Sequence, residues 1–137
     1  MFKKLLAIIF CALLLLTLFN FTYFNSRLVL GGVGVEHKLF ASSSSSQIVE
    51  VGYFGRFTAK VKAETCVAGE EFNLSSFLQS KNAVIVFTET CSAGVNVYAF
   101  SPEIYYLEKI NGKKINIHVF IGENDIKIGS PIIYESF

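Results

Sequence analysis

Few residues in this 137-residue chain are of types that could do chemistry. Beyond residue 46 there are two cysteines (Cys66 and Cys91), one histidine (His118) and one aspartate (Asp125). A hydrolytic triad needs a nucleophile, a base and an acid that orients the base. No serine here lies in a G-x-S-x-G turn. Cys91 with His118 would make a thiol–imidazole pair if the fold brought them together. Cys66, Cys91 and His118 would offer three zinc ligands, but their spacing matches no compact zinc signature and no fourth ligand stands out. Glu70 and Glu71 are adjacent carboxylates. At the head of a helical segment they read as first-turn acids, favoured by the positive end of the helix dipole, rather than as a general acid and base. The inventory leads to the expectation of a non-enzymatic protein without metal or cofactor.

The cysteines have a second possible use. Outside the cytoplasm, Cys66 and Cys91 would form a disulfide whose loop is worth roughly 3 kcal/mol in the chain-entropy model. The alternative is two buried free thiols acting as small apolar side chains.

Charge excludes one class of partner. From Gln47 to Phe137 there are eight Lys and Arg against ten Asp and Glu, a net charge of −2 with His118 neutral. Nucleic-acid binders draw most of their affinity from phosphate neutralisation, and no basic stripe is present to supply it.

The amino end sets location. Lys3 and Lys4 precede an uncharged run from Leu5 to Ser26. Roughly 20 apolar residues of helix cross a bilayer, whereas a signal peptide has an apolar stretch of about 7–15 residues and a small-x-small cleavage site. The run is long, and no such site follows it closely. It reads as an uncleaved anchor with the lysines inside and the remainder outside. The alternative is a signal peptide cut later, near Ala41. Three regions follow: 1–27 as anchor or signal peptide, 28–46 as a Gly/Ser-rich tether in which His37 is solvated, and 47–137 as an extracytoplasmic domain.

Within that domain the patterning is mostly β. Phe57, Ala59, Val61 and Ala63 alternate with Thr58, Lys60, Lys62 and Glu64, the period of a half-buried strand. Leu74, Phe77 and Leu78 share one face of a short helix. Ala83 to Phe87 is continuously apolar, as in a strand covered on both faces. Asn111-Gly112 between β-rich runs is a type I′ hairpin signal. Ile115, Ile117, Val119 and Ile121 then face one way, and Asn116, His118 and Phe120 the other. The closing apolar run is expected to be the last strand of a meander, with Pro131 at a sheet edge or a strand end. The fold class is α+β: a curved antiparallel sheet with a C-terminal meander and one short packed helix, preceded by a transmembrane helix.

Three segments in the last third carry a resemblance. "VNVYAFSPEI", "GKKINIHV" and "IGSPIIYESF", in that order between Val95 and Phe137, resemble the carboxyl end of YwmB-type proteins. These are exported proteins of endospore-forming bacteria whose fold is likened to that of the TATA-box-binding protein. Members are considerably longer, and the ending Glu-Ser-Phe departs from their Glu-Tyr. The resemblance implies a curved antiparallel sheet with helix cover and a sporulation context. It brings no catalytic residues and no DNA binding, since a fold does not carry a function.

The adjacent Tyr105 and Tyr106 must point to opposite sides of their segment. Tyr106, Asn116, His118 and Phe120 are the candidate interaction surface on the sheet's second face, the alternative being a two-sided core. The expected function is a membrane-tethered or secreted domain that binds a protein of the bacterial cell envelope. The alternatives are a structural envelope or spore-coat component, or a secreted thiol-dependent enzyme.

Overall fold

The computed structural model describes residues 1–26, 29–30, 33–42, 45, 47–52, 55 and 61–134, without the side chains of 21–26 and 42. Arg27, Phe57 and Ala59 therefore lie outside the described residues. So do Tyr53, Phe54 and the closing Glu-Ser-Phe.

The apolar run folds as one helix, α1 (Phe2–Ser26). Its Phe2–Asn20 stretch has a mean hydropathy of 2.3, and none of it is buried against the rest of the chain. It is long and apolar enough to cross a membrane or to act as a signal sequence.

The remainder is α+β. Its strands are β1 (Gly34–Ser42), β2 (Ile48–Val51), β3 (Val61–Ala68), β4 (Val84–Cys91), β5 (Gly94–Phe100), β6 (Glu108–Ile110), β7 (Lys113–Ile115), β8 (Ile117–Gly122) and β9 (Ile126–Ser130). Seven form an antiparallel sheet in the order β2-β1-β3-β9-β8-β5-β4, and β6 and β7 form a separate hairpin. The second helix, α2 (Leu74–Ser80), starts where Asn73 Oδ1 accepts the Ser76 N–H, an N-cap. It buries Phe77 and Leu78 on one face of the sheet, against Val97, Ala99, Ile117, Val119, Cys66 and Ile128.

The C-terminal meander is present, and its last strand is internal. β9 pairs with β8 on one side and β3 on the other, which accounts for its apolar sequence. Pro131 follows immediately after its last residue. Asn111 and Gly112 both have positive φ, as a type I′ turn requires.

Three expectations are corrected. First, Gly34–Ser42, within the stretch expected to be a tether, is strand β1, paired on both sides by β2 and β3. Gly34 is there for close packing, since a Cβ would collide with the Val67 carbonyl. Ala41 is buried in β1, so processing there would remove most of an internal strand. Second, β4 is not covered on both faces. It lies at an edge, with Val84 66% and Ile85 51% exposed. Third, β3 is not half-buried: Ala63, Glu64, Thr65 and Cys66 are all buried, because β1 and β9 flank it and both faces are covered.

Candidate functional site

Cys66 and Cys91 do not form a disulfide. Both are free thiols, Cys66 buried and Cys91 exposed. Cys66 pairs with Ile128, Ile128 with Val119, Val119 with Val97 and Val97 with Thr88. Four strand spacings of about 4.8 Å separate β3 from β4, roughly 19 Å against the 4.4–6.8 Å between Cα atoms that a disulfide spans. Burial, assisted by the Glu64 charge, pushes the Cys66 thiol up to about 11, so it stays protonated and unreactive. Cys91 pairs with Gly94, and His118 with Tyr98 four residues along β5. About 13 Å along that strand separates the thiol from the imidazole, and they form no dyad. Among the described residues, no three His, Cys, Asp or Glu side chains stand close enough to hold a metal ion.

The proposed interaction surface is also corrected. Asn116, His118 and Phe120 are buried and Tyr106 is half-buried. The reason is the tail beyond β9, which doubles back over the second face. Ile133 N–H donates to His118 Nδ1, the backbone of Ile132 and Ile133 lies against Gly129, and the Tyr134 ring approaches Phe40 at 6.2 Å. Asn116 holds the β5–β6 connection. Its Nδ2 donates to the carbonyls of Ser101 and Ile104, and its Oδ1 accepts the Ser101 N–H.

His118 belongs to an aromatic stack that crosses three strands. Phe87 stacks on Tyr98 at 4.4 Å, Tyr98 on His118 at 4.5 Å, and Lys113 Nζ lies 5.2 Å from the Phe87 ring centre. Because Nδ1 accepts the Ile133 N–H, the proton sits on Nε2, 2.9 Å from Asn96 Oδ1. Burial lowers the imidazole to about 4. The neutral ring has both nitrogens hydrogen-bonded and packs within the stack.

Glu64 is the functional-looking residue that its alternation concealed, since the period-2 pattern assigns it to the solvent side. It is fully buried. Its Oε1 accepts the Val29 N–H at 2.6 Å, its Oε2 accepts the Leu30 N–H at 3.0 Å, and His37 Nε2 lies 3.1 Å from Oε2. His37 is thus paired rather than solvated. Leu30 is buried in the same core as α2. This carboxylate ties the stretch just beyond α1 into the sheet. No spacing rule identifies such a residue, because its partners are backbone N–H groups 34 and 35 residues away.

Two open surfaces remain. A cleft of about 460 Å³ runs between α2 and β4, lined by Leu74, Leu78, Asn82, Ala83 and Ile85 among others. Among the described strands β4 pairs only with β5, so its other edge is open beside this cleft. A second cleft, about 540 Å³, is lined by Val61, Lys62, Tyr105, Tyr106, Leu107, Glu108 and Pro131. The first is lined by no titratable side chain, whereas the second carries Lys62, Tyr105, Tyr106 and Glu108. Comparison with known proteins returned no matching family model, curated protein or solved structure.

Proposed function

We propose that the chain is a non-enzymatic, membrane-tethered module on the outside of a bacterial cell, where it binds an extended segment of an envelope protein along β4. The observation that carries this reading is the open β4 edge beside an apolar cleft. Strand addition takes affinity from main-chain hydrogen bonds and specificity from pockets for alternate side chains. Here the edge offers the first, and Leu74, Leu78 and Ile85 line the second. The tether is supported by the apolar α1 and by the burial of β1, which makes removal near Ala41 incompatible with this fold. The sporulation context rests on the carboxyl-terminal resemblance to YwmB-type proteins alone.

The test is site-specific photocrosslinking in intact cells from a probe at Ile85. A discrete adduct with one envelope protein is expected, and it should disappear when Val84→Lys places a charge on the edge. Absence of an adduct from probes at Ile85, Thr88 and Thr90 would refute the reading.

One observation favours a second reading. β2, at the opposite edge, also exposes Ile48 and Val49. Joining β2 of one copy to β4 of the next is a head-to-tail contact that propagates, as in a structural envelope or spore-coat layer. Concentration-dependent oligomers blocked by Val84→Lys would select it.

A further inference from the structure

The charges of the sheet domain are divided between its two ends. Gly34, Ala68, Gly122 and Gly94 lie at one end by their pairing. The acids Glu36, Glu70, Glu71, Glu123 and Asp125 lie at that end, with Lys127 beside them opposite Val67. At the other end, β3 begins, β5 and β9 finish and the β6–β7 hairpin projects. Lys62, Lys81, Lys109, Lys113 and Lys114 lie there, and the acids among the described residues at that end are Glu50, Glu103 and Glu108. Burial, with the Glu108 carboxylate nearby, raises the Tyr134 hydroxyl above its ordinary value.

The hairpin itself is unusual. Lys109 and Lys114 sit directly opposite each other in the β6–β7 ladder, and both are exposed. Like charges at that position destabilise a two-stranded pair. Among the described residues, neither has an ion-pair partner. Beside them Tyr105 is 87% and Leu107 45% exposed, on the rim of the second cleft. Lysines next to an exposed tyrosine and leucine are the composition of a membrane-interface segment, where amphipathic rings sit at headgroup level and cations meet lipid phosphate.

Covalent distance brings such a surface within reach of a bilayer. α1 ends at Ser26 and Leu30 is already in the core, so about 14 Å of extended chain separates them at most. Leu30 is held by Glu64, two residues along β3 from Lys62 and three from Val61, both of which line the second cleft. That is about 10 Å of strand.

From these features we infer that the β6–β7 hairpin, through Lys109, Lys114, Tyr105 and Leu107, docks on the anionic lipid headgroups of the membrane that α1 spans. This fixes the domain's orientation, with the acidic end directed away from the bilayer. The inference rests on α1 being a membrane anchor. It leaves β4 available to a partner.

The chain contains no tryptophan, so one introduced ring reports one position. The Tyr105→Trp variant of the full-length protein is reconstituted into vesicles of phosphatidylglycerol or of phosphatidylcholine, each with and without brominated acyl chains. Docking predicts blue-shifted emission and bromolipid quenching in the anionic vesicles only. Both should be lost in about 1 M salt, where the screening length falls to about 3 Å, and in the Lys109→Glu/Lys114→Glu variant. Equal emission in the two lipids, or no quenching in either, overturns the inference. So does a shift produced by added soluble polyphosphate on phosphatidylcholine vesicles without quenching, which would identify a soluble polyanion as the ligand. A parallel Phe10→Trp variant separates the two levels. Quenching at position 10 without quenching at 105 keeps the anchor and removes the docking. No quenching at position 10 removes the anchor itself.

Discussion

Replacing Glu64 with alanine should be among the most damaging single changes outside the apolar core. The carboxylate accepts two backbone N–H bonds, at 2.6 and 3.0 Å, and pairs with His37 at 3.1 Å, all in a fully buried position. Hydrogen bonds to a charged group are worth about 1.5–3 kcal/mol each, and a buried N–H left without a partner costs about 1–3 kcal/mol. Two orphaned N–H groups plus the cavity give a loss of about 3–5 kcal/mol for Glu64→Ala. Glu64→Gln keeps the shape and one good acceptor but points an NH₂ group at a donor, so about 2 kcal/mol is expected. In a domain of this size, each kcal/mol moves the melting temperature by about 4–8 °C. Thermal unfolding of the full-length protein in detergent micelles, followed by near-ultraviolet circular dichroism, should place Glu64→Ala at least about 12 °C below wild type and Glu64→Gln between them. Five of the six tyrosines lie outside α1, so the near-ultraviolet signal reports chiefly the domain beyond that helix. A shift of less than about 2 °C for Glu64→Ala would mean that the carboxylate does not hold the stretch beyond α1, and the reasoning would fail.

His118 gives the pH dependence. Its folded value of about 4 lies below the ordinary 6.5, so on acidification the unfolded chain takes up the proton first. The stability from this group is complete above about pH 6.5 and is lost as pH falls to about 4, in total about 3 kcal/mol. A urea titration series should show that slope in wild type and a shallower one in His118→Gln; equal slopes would refute it. Thr65 is buried, and its hydroxyl has no hydrogen-bond partner among the described residues. Thr65→Val keeps the branched shape and removes the unsatisfied group, so it should raise stability by about 1 kcal/mol, visible as a higher melting temperature.

Local chemistry was legible in the sequence where it acts over short range. The Asn111-Gly112 turn, the Leu74–Phe77–Leu78 helix face and the apolar final strand are each set by residues within one element or one turn. Pairing partners were not legible. β1 was missed because its glycine and the flanking serines have linker composition, while Gly34 is in fact required by contact with β3. The continuously apolar Ala83 to Phe87 reads as a strand covered on both faces, but β4 is exposed because it lies at an edge, and that depends on the order of seven strands, which periodicity does not encode. The second-face surface failed for a related reason: Asn116, His118 and Phe120 do alternate as expected, but the tail after Pro131 covers that face. Cys66 and Cys91 suggested a bridge by number and compartment alone, and number carries no distance. Glu64 left no sequence signal, since an outward-looking alternation and a buried carboxylate that accepts distant N–H groups have the same spelling.

If the sheet domain lies outside the cell with unbridged thiols, its cysteines must differ in a defined way. Intact cells should be treated with a membrane-impermeant maleimide without reductant, then with denaturant. Cys91, exposed at the end of β4, should label at once, and Cys66, buried in β3, only after unfolding. Labelling of Cys91 that requires lysis would place the domain in the cytoplasm and contradict the extracytoplasmic assignment. Labelling that requires reductant would show a disulfide and contradict the sheet order.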